Sequence, residues 1–256
     1  MEKFIYKLIK KAGKIFISYY GKINKSDIEF KNPRDLVTIA DKEIENFIVT
    51  KIKRKFPEDT LIGEENKYKQ LNKKRVWYID PIDGTTNFIH KFPLCGISIA
   101  FEENRELKYG FVYFPLIKEL YYAKKGYGAY LNNKRIYTSK EESLINSVLV
   151  TGFACLRAGR KNNNLSNFVK IAPLLRGIRR TGSAAYDLCS VASGRFEAFW
   201  ELELNSYDVM AGVLIVQEAG GIVTDFSNTK KFIKKKEILA SGNINIHNQL
   251  LKLLNN

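Results

Sequence analysis

A chain of 256 residues with 45% hydrophobic content has enough apolar matter for one large core or two smaller fused ones, which excludes a disordered polymer. Lys and Arg outnumber Asp and Glu by 42 to 27, but the cations fall in short scattered clusters such as Lys53-Arg54-Lys55 and Lys234-Lys235-Lys236, without the interleaved aromatics on which single strands stack. Three separated cysteines and two histidines exclude a disulfide framework, a zinc knuckle and any chemistry built on several imidazoles, so carboxylates must carry any metal.

Apolar residues from Phe4 to Tyr19 recur at helical spacing and predict an amphipathic first helix ending near Gly21. Its start alternates apolar residues with Lys, unlike a signal peptide, and no later stretch is long enough to cross a bilayer. The expectation is a protein of the reducing cytoplasm. Asp41 opens and caps a second helix that Pro57 stops. A short strand over 76–79 then delivers Asp80, and residues 96–101, 109–114, 119–123 and 127–131 read as an antiparallel meander. Beyond Lys134 the pattern alternates: strand 147–151, helices 165–175 and 182–193, strand 196–200, helix 208–219 and strand 221–224. The expected organisation is therefore an α+β half over 1–138 and an α/β half over 139–256, packed without a flexible linker.

The most informative run is Trp77-Tyr78-Ile79-Asp80-Pro81-Ile82-Asp83-Gly84-Thr85-Thr86-Asn87-Phe88, a strand entering a sharp turn that carries two carboxylates and two hydroxyls. Pro81 fixes φ, Gly84 lets backbone approach a ligand, and Asp83 and Thr85 are candidate caps for a helix starting at Thr85 or Thr86. Two aspartates turned toward one site need a cation or a proton between them, and hard oxygen ligands suit Mg²⁺ or Mn²⁺. An isolated pair at this spacing reads first as a capped, solvated turn, so the flanking residues decide.

Those residues closely resemble the signature of the inositol monophosphatase family of Mg²⁺-dependent, lithium-sensitive phosphatases. Gly63-Glu64-Glu65 upstream, the segment from Tyr207-Asp208 to Gly212 downstream, and Asp35-Leu36-Val37-Thr38 with Asp41 resemble its other motifs in the same order. The resemblance implies a layered αβαβα sandwich of the inositol monophosphatase and fructose bisphosphatase type. It implies that Glu64, Asp80, the Ile82 carbonyl and Thr85 hold one Mg²⁺ and that Asp80, Asp83 and Asp208 hold a second, with a third ion or Mn²⁺ also compatible. Catalysis would fall to Thr85, Asp41 and Glu64, which prepare a water. Asp83, Gly84, Thr85, Ser183, Ala184 and Glu201 would contact a small phosphorylated polyol or sugar.

Two departures bear on substrate: the family's Cys-Trp before the last aspartate is Ser206-Tyr207 here, and the link from Glu65 to Val76 is short. Related enzymes with a reshaped loop accept fructose bisphosphate, so a fructose bisphosphatase or dual-specificity sugar phosphatase is the alternative. His90 reads as a rim residue. The resemblance also implies a homodimer, and the net charge of +15 leaves room for an RNA-associated regulatory role beside transcription machinery, recognisable by steep salt dependence.

Overall fold

The computed structural model describes residues 1–32, 35–157, 159, 161 and 163–255, the side chains of Lys25, Phe30, Lys31, Asn32, Asp35, Asn72 and Arg157 excepted. The first half runs α1 (Glu2–Tyr19), β1 (Ile28–Asn32), β2 (Asp35–Thr38), α2 (Ile39–Lys55), β3 (Asp59–Gly63), β4 (Asn72–Asp83), α3 (Thr85–Ile89), β5 (Gly96–Glu103), β6 (Glu106–Phe114), β7 (Glu119–Lys124), β8 (Gly128–Leu131) and β9 (Lys134–Ile136). The second continues β10 (Val148–Thr151), α4 (Ala154–Arg157), α5 (Leu165–Ile171), β11 (Gly177–Arg179), α6 (Ala184–Ala192), β12 (Ala198–Leu202), α7 (Ser206–Glu218), β13 (Ile222–Thr224), α8 (Phe232–Lys235), β14 (Glu237–Ser241) and α9 (Ile244–Asn255). No helix among the described residues is long and apolar enough to cross a membrane.

Strands β3 to β9 form a seven-stranded sheet in chain order. Only its first pair, β3 with β4, is parallel; the meander itself is antiparallel as the alternation predicts. Period-two patterning sends β4 side chains to opposite faces. Trp77 and Ile79 enter a core with Ile5, Ile9 and Phe16 of α1 and Ile44 and Ile48 of α2, whereas Val76 and Tyr78 face α6 and α7. The α1 stripe leaves Lys3, Lys7, Lys11 and Lys14 exposed.

The second sheet, in the order β11-β10-β12-β14-β13, is mixed: β10 is parallel to β11 and β12, while β14 is antiparallel to β12 and β13. Its inner face, with Val150, Phe199 and Ala240, packs on α6 and α7. Its outer face, with Leu149, Trp200 and Leu239, packs on Ile171 of α5 and Ile246 and Leu250 of α9. The result is the five-layer αβαβα sandwich that the resemblance implies. Helices α6 and α7 form the buried central layer, and the α7 backbone comes so close to the sheet that a Cβ on Gly110 of β6 would stand 2.6 Å from the Ala211 carbonyl oxygen.

Several boundaries differ from expectation. The first turn of α2 is capped by Thr38, not Asp41: Asp41 is the third helical residue and completes a capping box, its Oδ2 accepting from the Thr38 N–H at 2.8 Å. Strand β4 runs through a register irregularity to Asp83 instead of ending at residue 79, since the ladder with β5 resumes at the Asp83–Gly96 pair. The helix expected over 165–175 ends at Ile171, followed by a short 3₁₀ turn over Ala172–Leu174, because Pro173 has no N–H to continue it.

Candidate metal centre

Five separate segments meet at one cavity between the two sheets. Its wall includes Glu64 after β3, Asp80, Ile82 and Asp83 on β4, Gly84 to Thr86 at the head of α3, Gly182 to Ala184 at the head of α6, Glu201 on β12 and Asp208 in the first turn of α7. Ten of the sequence-predicted site residues therefore share a wall although they span residues 64 to 208. Asp41 stands behind it, fully buried, and reaches the cavity through Thr85. His90 is exposed and takes no part in the lining. The Asp35 side chain lies outside the described residues.

The turn after β4 is built differently from the capped helix start that its sequence predicts. Gly84, at φ 87°, is the N-cap of α3 and supplies no side chain. This left-handed conformation is natural for glycine, and a Cβ there would press on the Leu94 and Gly182 carbonyls at 3.2 and 3.3 Å. Asp83 is released from capping and points across the molecule instead. Its Oδ2 accepts from the Ser183 hydroxyl and from the Ala185 N–H at 2.8 Å. Ser183 is in turn the N-cap of α6, accepting from the Tyr186 N–H at 3.1 Å. One carboxylate thereby fixes the head of α6 to the turn after β4.

Thr85 is likewise not a cap. Its hydroxyl lies 3.1 Å from the Ile82 carbonyl and 3.2 Å from Asp41 Oδ1, so its proton is shared between two acceptors. Asp208, like Asp41, is the third residue of its helix: Asn205 is the N-cap, and the Asn205 N–H donates to Asp208 Oδ2 at 2.6 Å. Glu201 accepts from the Ala154 N–H at 3.0 Å, which joins β12 to the segment after β10.

Among the described residues six carboxylates, Glu64, Asp80, Asp83, Asp187, Glu201 and Asp208, line the cavity against a single cation, Arg180. Burial and this crowding oppose ionisation of the aspartates. Asp80 is raised well above the usual carboxylate range, first by burial and then by the charges of Glu64, Asp83 and Asp208. Asp208 is raised by burial and then by the charges of Glu64, Asp83 and Glu201, and Asp83 is pushed up to about 6 by burial, against which the Ser183 and Ala185 hydrogen bonds act. Asp80 Oδ1 is buried with no hydrogen-bond partner among the described residues. An orphaned carboxylate oxygen among further carboxylates is the mark of a site that takes cations, because a cation satisfies the oxygen and offsets the repulsion together. Among the described residues no three carboxylate, histidine or cysteine side chains by themselves close around one point, so the fit is that of an open carboxylate-lined cavity.

Asp187, Arg180 and Gly152 also line the cavity and are absent from the sequence-derived set. Asp187 was readable: it follows Ser183 by four residues, one helical turn, and so lies on the same face of α6. It accepts from the Thr181 hydroxyl and steadies the turn before α6. Arg180 and Gly152 carry no local signal that separates them from other surface arginines and turn glycines.

The sequence model described as the inositol monophosphatase family matches residues 1–256. An "Inositol monophosphatase" of Dictyostelium discoideum is 37% identical over 252 residues, covering 96% of this chain and 92% of that protein. A "Fructose-1,6-bisphosphatase/inositol-1-monophosphatase" of Thermotoga maritima is 36% identical over 254 residues, covering 98% and 94%. Among solved structures, the extragenic suppressor protein suhB from Bartonella henselae superposes with a TM-score of 0.92 at 33% identity, covering 99% of this chain and 97% of that one.

Proposed function

The chain belongs to the inositol monophosphatase family, and from that premise and the acidic cavity we propose that it hydrolyses small phosphomonoesters, inositol monophosphate foremost, with the aid of divalent cations. The observation that carries this reading is the buried Asp80 Oδ1, without a hydrogen-bond partner among the described residues, in a wall of six carboxylates. Glu64, Asp80, the Ile82 carbonyl and Thr85 would hold one cation, and Asp80, Asp83 and Asp208 a second. Bound Mg²⁺ or Mn²⁺ supplies the charge neutralisation and water acidification that phosphomonoester hydrolysis needs near neutral pH.

The chain's own groups supply position and proton transfer. The Thr85 hydroxyl, directed at Asp41, orients a water and passes its proton to that buried carboxylate, which Thr38 holds in place through its N–H and hydroxyl. The backbone at Gly84 and Thr85 and at Ser183 and Ala184 forms the walls between which the phosphoryl group fits. Glu201 faces the same space from β12 and accepts hydrogen bonds from ring hydroxyls of the substrate. A carboxylate in that place favours a neutral polyol or sugar over an aromatic leaving group.

The name of the Thermotoga maritima relative joins two activities, and the short Glu65–Val76 link supports the same breadth here, so fructose bisphosphate is the second substrate of interest. A phosphate-release panel tests the reading. With Mg²⁺, inositol monophosphate is hydrolysed fastest, chelation abolishes release, and Li⁺ inhibits it. Release that persists in excess chelator contradicts the proposal. Light scattering that gives twice the chain mass is the outcome expected for the proposed homodimer.

A further inference from the structure

Glu45 lies on α2 one turn beyond Asp41, and both side chains are fully buried. A buried carboxylate is costly unless fully hydrogen-bonded, and among the described residues Glu45 is bonded to one short segment. Its Oε2 accepts from the Glu65 N–H at 2.9 Å, and its Oε1 accepts from Asn66 Nδ2 at 2.9 Å and from the Tyr68 hydroxyl at 2.7 Å. Lys53, also on α2, sits 4.9 Å from the centre of the Tyr68 ring and ties the same segment down a second time. The carboxylate is pressed against the chain just before Glu64: a Cβ on Gly63 would meet Oε2 at 2.7 Å. Asp41 and Glu45 thus present two carboxylates from one rigid helix, the first reaching Thr85 and the second gripping residues 65–68.

From this geometry we infer that Glu45 is a positioning residue that sets where Glu64 stands in the cavity and thereby tunes divalent-cation affinity. The inference rests on the proposed role of Glu64 as a metal ligand. An ionised carboxylate accepts from all three donors, whereas a glutamine must direct its own NH₂ at one of them, so Glu45→Gln keeps the volume and breaks the grip. Outer-shell partners of metal ligands typically change affinity by about 10–100-fold when replaced.

The test is calorimetric titration of the whole protein with Mn²⁺, without substrate, for wild type, Glu64→Gln, Glu45→Gln and the double variant Asn66→Ala/Tyr68→Phe, which removes two of the three donors and keeps Glu45. Thermal unfolding in chelator reports folding separately. Glu45→Gln is expected to weaken Mn²⁺ binding about tenfold or more, the double variant in the same direction, and the Mg²⁺ concentration for half-maximal turnover is expected to rise in parallel while kcat at saturating Mg²⁺ moves by less than about threefold. Unchanged Mn²⁺ affinity in a folded Glu45→Gln overturns the inference, as does unchanged affinity in the double variant should Glu45→Gln not fold. A wild type that binds no Mn²⁺, or a Glu64→Gln that binds it as well as wild type, instead overturns the metal-ligand reading and the inference with it.

Discussion

Asp83→Asn lowers phosphomonoester turnover by roughly a thousandfold while leaving the fold in place. The two halves of that expectation come from the two ends of one side chain. Oδ2 is occupied by the Ser183 hydroxyl and the Ala185 N–H, and the amide oxygen of asparagine takes over both bonds without moving the head of α6. The NH₂ group is then left on the cavity side, where it replaces a cation acceptor with a donor and removes one negative charge from the set of six. Steady-state rates with saturating Mg²⁺, set beside unfolding midpoints in chelator, separate the two effects. A variant that retains wild-type kcat contradicts the assignment of Asp83 to the metal site, and one that is inactive because it unfolds contradicts the packing argument.

The metal-free protein is expected to lose stability as the pH rises from near neutral, and Mg²⁺ is expected to restore it. Asp83 is pushed up to about 6, and Asp80, Asp187 and Asp208 are raised well above the usual range, all chiefly by burial. In the unfolded chain the same groups titrate near 3.8. The folded state therefore binds more protons in between, so these groups contribute fully below that value and their contribution is lost as the pH rises through each folded pKa, about 6 for Asp83. His247 acts oppositely. Buried between the Thr224 and Ser241 hydroxyls, its pKa is lowered to about 4, so its contribution is present above 6.5 and lost as the pH falls toward 4. From pH 6.5 upward His247 is neutral in both states, and over this window the midpoint in chelator should fall as these carboxylates ionise. Mg²⁺ at about a hundred times its dissociation constant adds about 2.7 kcal/mol, or roughly 5–10 °C for a domain of this size, and flattens the slope. A midpoint in chelator that rises over this window, or one indifferent to Mg²⁺, contradicts the electrostatic account.

What the sequence made legible was the chemistry that is local to one segment. The strand entering Asp80-Pro81-Ile82-Asp83-Gly84-Thr85, the lysine-lined amphipathic α1 and the meander all follow from patterns a few residues long. The carboxylates' shared cavity follows from the ordered motifs. Roles set by distant partners were not legible. Asp83 looks like a cap because nothing nearby in sequence shows that Ser183, a hundred positions on, will claim it. Thr38 and Asp41, by contrast, carry a readable capping-box spacing, and only the choice of which residue caps was misplaced. The insertion of β14 between β12 and β13 is a pairing decision made by the packed sheet, and the expected elements stop at residue 224. Yet Ile246, Leu250 and Leu254 of α9 repeat every four residues, a signal as plain as that of α1. Glu45 reads as one more charge on a helix, and only its burial against residues 65–68 gives it meaning.

Anomalous scattering from a Mn²⁺-soaked crystal tests the central claim most directly, because it locates the ions without reference to turnover. Two peaks about 3.5–4 Å apart within reach of Glu64, Asp80, Asp83 and Asp208, one of them against Asp80 Oδ1, are the predicted result. A cavity without Mn²⁺ at millimolar soaking concentration, with those four carboxylates paired to protein groups instead, would contradict it.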